Sequence, residues 1–286
     1  MSGPADILLR IAARRRERVA EANGAGRGEA AALSSAPPRS PADNAFLAAL
    51  AARRAPAGSP AIPATPAAPA IPAAPAPPAI IAEVKMGSPR LGPLAGRVDP
   101  ERQAETYAAH GAAALSVVVE PDFFFGSYEL LCACKAASGL PAIAKDFIVD
   151  PLQLHWAKAA GADAVLLIAA LLTTEELVRY AGWARGLGLV PLIETHSKEE
   201  VAKLSGADWE LVGVNNRNLR TFTVDLAHSI DLLPSLPPQA FKVAESGIDG
   251  RAALARLHQA GFDAFLIGES LLLAEHPAAM LRELLG

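Results

Sequence analysis

From residue 80 onward, short apolar runs alternate with helix-like stretches, and the alternation repeats eight times. Apolar runs this short, bounded by turn signals, read as buried strands. They fall at about 80–85, 113–119, 141–145, 164–168, 189–194, 211–215, 241–245 and 263–267. Helical stretches lie near 100–110, 127–138, 151–160, 174–187, 198–205, 225–233, 249–261 and 276–285. The segments HGAA, KAASGLP, AAGAD, RGLGL and QAGFD put a glycine where a helix should stop before the next strand. This pattern predicts an α/β protein with a (β/α)8 TIM barrel. A doubly wound open sheet is the structural alternative. The evenness of the repeat favours the barrel.

Five of these runs end on polar or charged residues. Glu83 and Lys85 close IIAEVK, and Lys145 closes PAIAK. Glu194 closes LVPLIE, Asn215 closes LVGVN, and Glu245 closes FKVAE. An ionised group in such a place costs on the order of several kcal/mol unless it is paired or used. Side chains alternate along a strand, so Ile81, Glu83 and Lys85 share a face. Ile143 shares one with Lys145, Leu192 with Glu194, Gly213 with Asn215 and Val243 with Glu245. The polar ends therefore stand above a packed floor and face one pocket.

Three carboxylates and two ammoniums in one pocket push pKa values apart and supply both a donor and an acceptor near neutrality. A partly desolvated lysine near another cation becomes a usable general acid. The bland alternative for Lys145 and Glu194 is a structural ion pair. The six histidines are scattered and none falls at a strand end, so no metal catalysis is expected. Glu245-Ser246-Gly247 and Gly268-Glu269-Ser270 follow the last two strands, the usual phosphate position of a barrel. The first β/α loop, Gly87-Ser88-Pro89-Arg90-Leu91-Gly92, adds a hydroxyl and an arginine on the same rim.

Net charge is −4 over 286 residues, with the two signs mixed. That leaves no basic footprint for nucleic acid and no polybasic membrane patch. Cys132 and Cys134 are spaced for neither a zinc site nor a C-x-x-C pair. They fit a reducing, cytoplasmic compartment. The start, ILLRIAARRRER, has the reverse order of a secretory signal and reads as an amphipathic helix. Ser40-Pro41 is expected to open a second helix with Phe46, Leu47 and Leu50 as its apolar side. Residues 1–54 thus read as an N-terminal helical extension and cap. Residues 55–79 are nearly all Ala and Pro, with prolines at 60, 63, 66, 69, 72, 75 and 78. A period of three matches polyproline II, which would reach on the order of 60 Å here. The tract is either a semi-rigid or disordered linker or a docking ligand for a proline-binding partner. The catalytic barrel is expected over 80–286, and no second enzyme is expected to follow it.

The segments IAEVKMGSPRLG, FFFGSYELL, AKDFIVD, GADAVLLI, GLVPLIETH, VGVNNRNLRTF, VAESGI and FLIGESLL run in order through the barrel region. On these, residues 80–286 closely resemble the indole-3-glycerol phosphate synthase family of tryptophan biosynthesis. The segment Arg39–Leu50 resembles the family's extra N-terminal helix that caps the active site. The resemblance implies a cofactor-free carboxy-lyase acting on one phosphorylated small molecule, 1-(2-carboxyphenylamino)-1-deoxyribulose 5-phosphate. Ring closure, decarboxylation and dehydration would give indole-3-glycerol phosphate. It implies no nucleic-acid or membrane partner, and a monomer or weak homo-oligomer.

By the same resemblance Lys145 is the principal general acid and Glu194 the second acid/base group. Glu83 orients reacting hydroxyls, and Lys85 binds the anthranilate carboxylate or shares proton transfer. Asn215 positions substrate, with Arg217 holding the local charge network and Glu245 completing the polar rim. Ser88, Ser246, Gly247, Gly268 and Glu269 form the phosphate side. Phe124, Phe147, Leu166, Leu219 and Leu266 build the slot for the aromatic ring, with core packing as the alternative for Phe147 and the leucines.

Three departures from the family pattern stand out. Arg90 replaces a serine, and Met86-Gly87 replaces Lys-Ala, which is expected to loosen the first loop. The Ala/Pro tract is longer than the family's join and is expected to weaken coupling between cap and barrel. The competing readings are another phosphate-sugar barrel enzyme, or an inactive barrel scaffold with a proline-rich docking arm.

Overall fold

The computed structural model describes residues 5–24, 33–54, 77–218 and 223–286. Eight strands form a closed barrel: β1 (Ala79–Val84), β2 (Ala114–Val118), β3 (Ala142–Lys145), β4 (Ala164–Ile168), β5 (Val190–Thr195), β6 (Leu211–Asn215), β7 (Phe241–Glu245) and β8 (Ala264–Ile267). Each runs parallel to the next, and β8 pairs back to β1. Closure decides against the open sheet. The helices are α1 (Ala5–Gly24), α2 (Ala45–Ala51), α3 (Pro100–Ala109), α4 (Tyr128–Ser138), α5 (Leu152–Ala159), α6 (Thr174–Gly186), α7 (Lys198–Ala202), α8 (Leu226–Leu232), α9 (Arg251–Ala260), α10 (Glu269–Leu273) and α11 (Pro277–Leu285).

The period of two sorts the strand residues into two cores. Ile81, Ile143, Leu166, Leu192, Leu211, Val243 and Leu266 point inward and fill the barrel. Ile80, Leu115, Val165, Ile193, Val212 and Phe265 point outward and pack beneath the helices. Burial on both faces is why these strands read as continuous apolar runs. Local signals set the helix ends. The Ser127 hydroxyl accepts the Leu130 N–H and starts α4, and Gly139, at φ +69°, stops it. Thr173 and Glu176 form a reciprocal capping box on α6.

The N-terminal segments differ from the expectation. Ser40 caps only a short 3-10 turn, Pro41–Asp43, and Asn44 starts α2 by accepting the Phe46 and Leu47 N–H groups. The Asn44 amide also donates to the carbonyls of Asp163 and Gly188, just ahead of β4 and β5. Phe46, Leu47 and Leu50 are thereby driven into the inner core. Arg39–Leu50 thus closes the end of the barrel where strands begin, not the end that carries the polar residues. Helix α1 is the element on that other end. Its Arg15 pairs with buried Asp146, beside Lys145. Its Arg18 grips Asp122 with two bonds of 2.5 and 2.6 Å. The expectations for residues 55–76, including the polyproline rod, lie outside the described residues. No helix among the described residues is long and apolar enough to cross a membrane.

Candidate active site

All six polar residues come together at the end of the barrel where the strands finish. Glu83, Glu194, Asn215 and Glu245 are buried, while Lys85 and Lys145 are half-buried. Lys85 stands one residue beyond β1, and its Nζ donates to Glu83 Oε1 at 2.8 Å. Lys145 Nζ sits between two carboxylates, 3.4 Å from Glu83 Oε2 and 3.4 Å from Glu245 Oε2. Two glycines make room for this cluster. A Cβ on Gly213 would overlap the Glu245 carboxylate, and one on Gly268 would overlap that of Glu83.

The charges shift one another. Burial opposes ionisation of Glu83, but Lys85 and Lys145 outweigh it and lower its pKa to about 2. Burial also opposes the Lys145 cation, yet Glu83, Glu245 and Glu194 overcome this and raise its pKa. The expectation of a lysine made acidic by a neighbouring cation is therefore corrected. Lys85 is engaged by Glu83, and what surrounds Lys145 is negative charge, which keeps it protonated. Glu245 goes the other way. Burial, then the charge of Glu194 and a hydrogen bond to it, lift its pKa to about 8 against the pull of Lys145. Burial and the neighbouring Glu194 thus favour a proton on Glu245.

The residues expected on the phosphate side form the rim next to this cluster. Arg217 Nη2 lies 3.1 Å from Glu269 Oε2, and Arg90 pairs with the other oxygen, Oε1, of the same carboxylate. One glutamate thus bridges the first β/α loop and the loop after β6. The Arg217 N–H donates to Asn215 Oδ1 at 3.0 Å, tying that side chain to the rim. Ser246 and Gly247 both take positive φ, at +65° and +77°. For a serine this is a sparsely populated conformation. The Ser88 hydroxyl accepts the Leu91 N–H inside the first loop. That loop is ordered around Gly87. It forms a small antiparallel ladder, Gly87–Ser88 with Gly92–Pro93, and the Phe125 ring occupies the space a Cβ on Gly87 would need.

Phe124 and Phe147 face each other at the mouth, rings 5.8 Å apart. Phe147 packs against the inner core, to which the buried Leu166 and Leu266 belong. Leu219 lies outside the described residues.

Residues 59–284 match the family model described as indole-3-glycerol phosphate synthase. The chain belongs to this family. The indole-3-glycerol phosphate synthase of Carboxydothermus hydrogenoformans is 46% identical over 208 residues, covering 72% of this chain and 79% of that protein. The one from Koribacter versatilis is 44% identical over 208 residues, covering 73% and 80%. Among solved structures, 3-hexulose-6-phosphate synthase from Salmonella typhimurium superposes with a TM-score of 0.57 at 14% identity, covering 72% of this chain and 96% of that one. That likeness carries the fold alone.

In this member of the indole-3-glycerol phosphate synthase family, four supporting residues are not marked by the strand-end pattern that located the cluster. Glu120, just past β2, accepts the N–H groups of Asp122, Phe123 and Phe124 at 3.0, 2.7 and 3.0 Å, which folds the loop that carries Phe124. The run VVVE does end on a charge, so a weaker form of that signal was present. Asp146 accepts from Tyr128 at 2.9 Å and Gln153 at 3.0 Å besides Arg15, fixing the chain just past Lys145. Asn216 donates to the carbonyls of Glu245 and Ser246, both at 3.0 Å. His196 lies 3.5 Å from Glu194. Nothing in the spacing of these last three separates them from ordinary loop residues.

Proposed function

We propose that this chain converts 1-(2-carboxyphenylamino)-1-deoxyribulose 5-phosphate to indole-3-glycerol phosphate, carbon dioxide and water, the carboxy-lyase step that forms the indole ring in tryptophan biosynthesis. The observation that carries the reading is a single ammonium, Lys145, held 3.4 Å from each of two carboxylates at the mouth of a barrel of this family. Ring closure needs a proton delivered to a carbonyl oxygen, and dehydration needs that oxygen protonated again. Lys145, kept charged by its neighbours, makes the first delivery. Glu194 acts as the second acid/base group, drawing on the proton held at Glu245. Glu83 orients the reacting hydroxyl, and Lys85 neutralises the carboxylate that leaves as carbon dioxide.

Asn215 positions the substrate. Phe124 and Phe147 flank its aromatic ring, above the floor of Leu166 and Leu266. Ser88, Arg217, Ser246, Gly247 and Gly268 surround the phosphate, and Glu269 serves as counter-ion to the arginines until the phosphate arrives. The chemistry is acid/base throughout and calls for no cofactor. We further read the protein as a cytoplasmic enzyme, a monomer or weak homo-oligomer without nucleic-acid or membrane partners. We divide it into an extension over 1–54, a linker over 55–79 and a catalytic barrel over 80–286.

The test is indole fluorescence on mixing protein with the carboxyphenylamino substrate. Signal is expected from the wild type, with kcat lowered roughly 10²- to 10⁴-fold in Lys145→Ala. No signal from a folded wild type would sink the assignment.

A further inference from the structure

The proposed reaction has a net proton demand, and the present inference rests on that reading. Two protons are added to oxygen: one to the carbonyl on ring closure, one to the hydroxyl that leaves as water. One proton is removed, from the carbon beside nitrogen, when the new ring becomes aromatic. The carboxylate departs as neutral carbon dioxide and leaves its electron pair in the ring. Each turnover therefore takes up one proton from solvent. Substrate seated over the mouth covers the acid/base groups from above, and the side chains of Glu194 and Glu245 are only 4% and 1% exposed. A proton needs another way in.

His196 stands on that way. It lies two residues beyond Glu194, on the same side of the extended chain. Its side chain is 12% exposed, and neither ring nitrogen has a hydrogen-bond partner. Buried polar atoms are rarely left so. Each nitrogen instead faces a carboxylate: Nε2 is 3.5 Å from Glu194 Oε1, and Nδ1 is 3.4 Å from Glu200 Oε2. Glu200, on α7, is 17% exposed, so the row of three runs from the solvent side inward. The backbone of His196 is fixed at both ends. Its N–H donates to Glu200 Oε2 at 2.7 Å, and its carbonyl lies 2.7 Å from the ring Nε2 of His228 on α8.

We propose that His196 is a proton relay that recharges the buried Glu194 from solvent through Glu200. A proton passes from Glu200 to Nδ1, the Nε2 proton passes to the Glu194 carboxylate, and exchange of the ring protons with solvent after product leaves restores the starting tautomer. The two ring contacts are longer than hydrogen bonds in the free enzyme and need to close by a few tenths of an ångström, as catalytic contacts do when substrate seats. The groups facing the ring favour its cationic form. Burial alone would lower the pKa of His196, but Glu200, Glu194 and Glu245 together raise it.

His196 acts through Glu194, so the test must separate proton delivery from simple support. In His196→Gln, kcat should fall about tenfold with KM unchanged. Its solvent deuterium isotope effect on kcat should exceed that of the wild type, and added imidazole should restore kcat in proportion to concentration. Glu200→Gln keeps the hydrogen bond to the backbone and should show the same signature more weakly. A loss of kcat that imidazole does not restore, with an unchanged isotope effect, would overturn the relay and leave His196 as a brace for Glu194. Wild-type kcat in His196→Gln would overturn it too. If His196→Gln does not fold, Glu200→Gln decides by the same isotope effect. A wild type that does not turn over the substrate removes the reaction itself, and the relay with it.

Discussion

The two ends of the barrel bury charge in opposite ways. Where the strands begin, Arg185 donates to both Glu210 oxygens at 2.7–3.2 Å and to the Asp208 carbonyl at 2.9 Å. The Arg39 N–H adds a further bond to Glu210 at 2.8 Å, and Asp163 is held by Lys135 and the Ala142 N–H. Both carboxylate oxygens of Glu210 and of Asp163 are engaged, and the buried Arg39 Nε is the unpartnered atom beside them. Where the strands end, Glu245 Oε1 and both His196 nitrogens lack a hydrogen bond, Ser246 sits at positive φ, and Lys145 is shared between two carboxylates at 3.4 Å. Closed networks hold structure; incomplete ones leave valences for a substrate. The same alternation of apolar strand and polar terminus yields stability at one end and reactivity at the other.

The hardest blow to that contrast is struck at the paired end. Glu210→Ala strands the Arg185 guanidinium, whose side chain is 7% exposed. The expected loss is about 3–5 kcal/mol in urea unfolding, with the turnover of the remaining folded enzyme unchanged. Lys145→Ala should do the reverse, removing turnover while leaving the unfolding midpoint near wild type. If Glu210→Ala loses activity in the folded fraction, the two ends are coupled and the division of labour fails.

The barrel was legible because its strands are buried on both faces and its helices stop at glycine, so most element ends fall within a residue or two of their expected places. The polar cluster was legible because an apolar run gains nothing by ending on a buried charge unless that charge is paired or used. What stayed hidden depends on partners distant in sequence. Asn44 determines which end α2 closes, through carbonyls more than a hundred residues away. Leu166 and Leu266, expected in an aromatic slot, lie in the inner core against which Phe147 packs. The Phe125 ring that fills the space beside Gly87 could not be foreseen from the glycine. The charge state of Lys145 depends on which neighbour Lys85 takes, and spacing alone cannot decide that.

The carboxyl at Glu245 sharpens the comparison by pH. Its pKa in the folded protein is about 8 against an ordinary 4.5, so folding favours the protonated form. The stability it contributes is complete below the ordinary value and is lost as pH rises through about 8. Urea unfolding of the wild type should therefore show stability declining across that window. Glu245→Gln, which cannot ionise, should flatten the decline by on the order of 2 kcal/mol. A decline of the same size in the variant would move its origin to another group and leave Glu245 ionised in the native site.

The smallest effect is expected at the open edge of the rim. Arg90 and Glu269 are 55% and 37% exposed, so their pair is screened by solvent and adds little to stability. The glutamate is nonetheless shared with Arg217, and a phosphate seated at this rim, as proposed, would meet two arginines already gathered on one carboxylate. If Arg90 then moves to the phosphate, Arg90→Ser should raise KM roughly two- to fivefold at low salt, leave kcat alone and weaken the dependence of KM on ionic strength. The buried pair at Glu210 should show no comparable salt dependence. An unchanged KM with an unchanged salt slope would mean that Arg90 stays on Glu269 throughout. The first loop would then touch the phosphate only through Ser88 and its backbone.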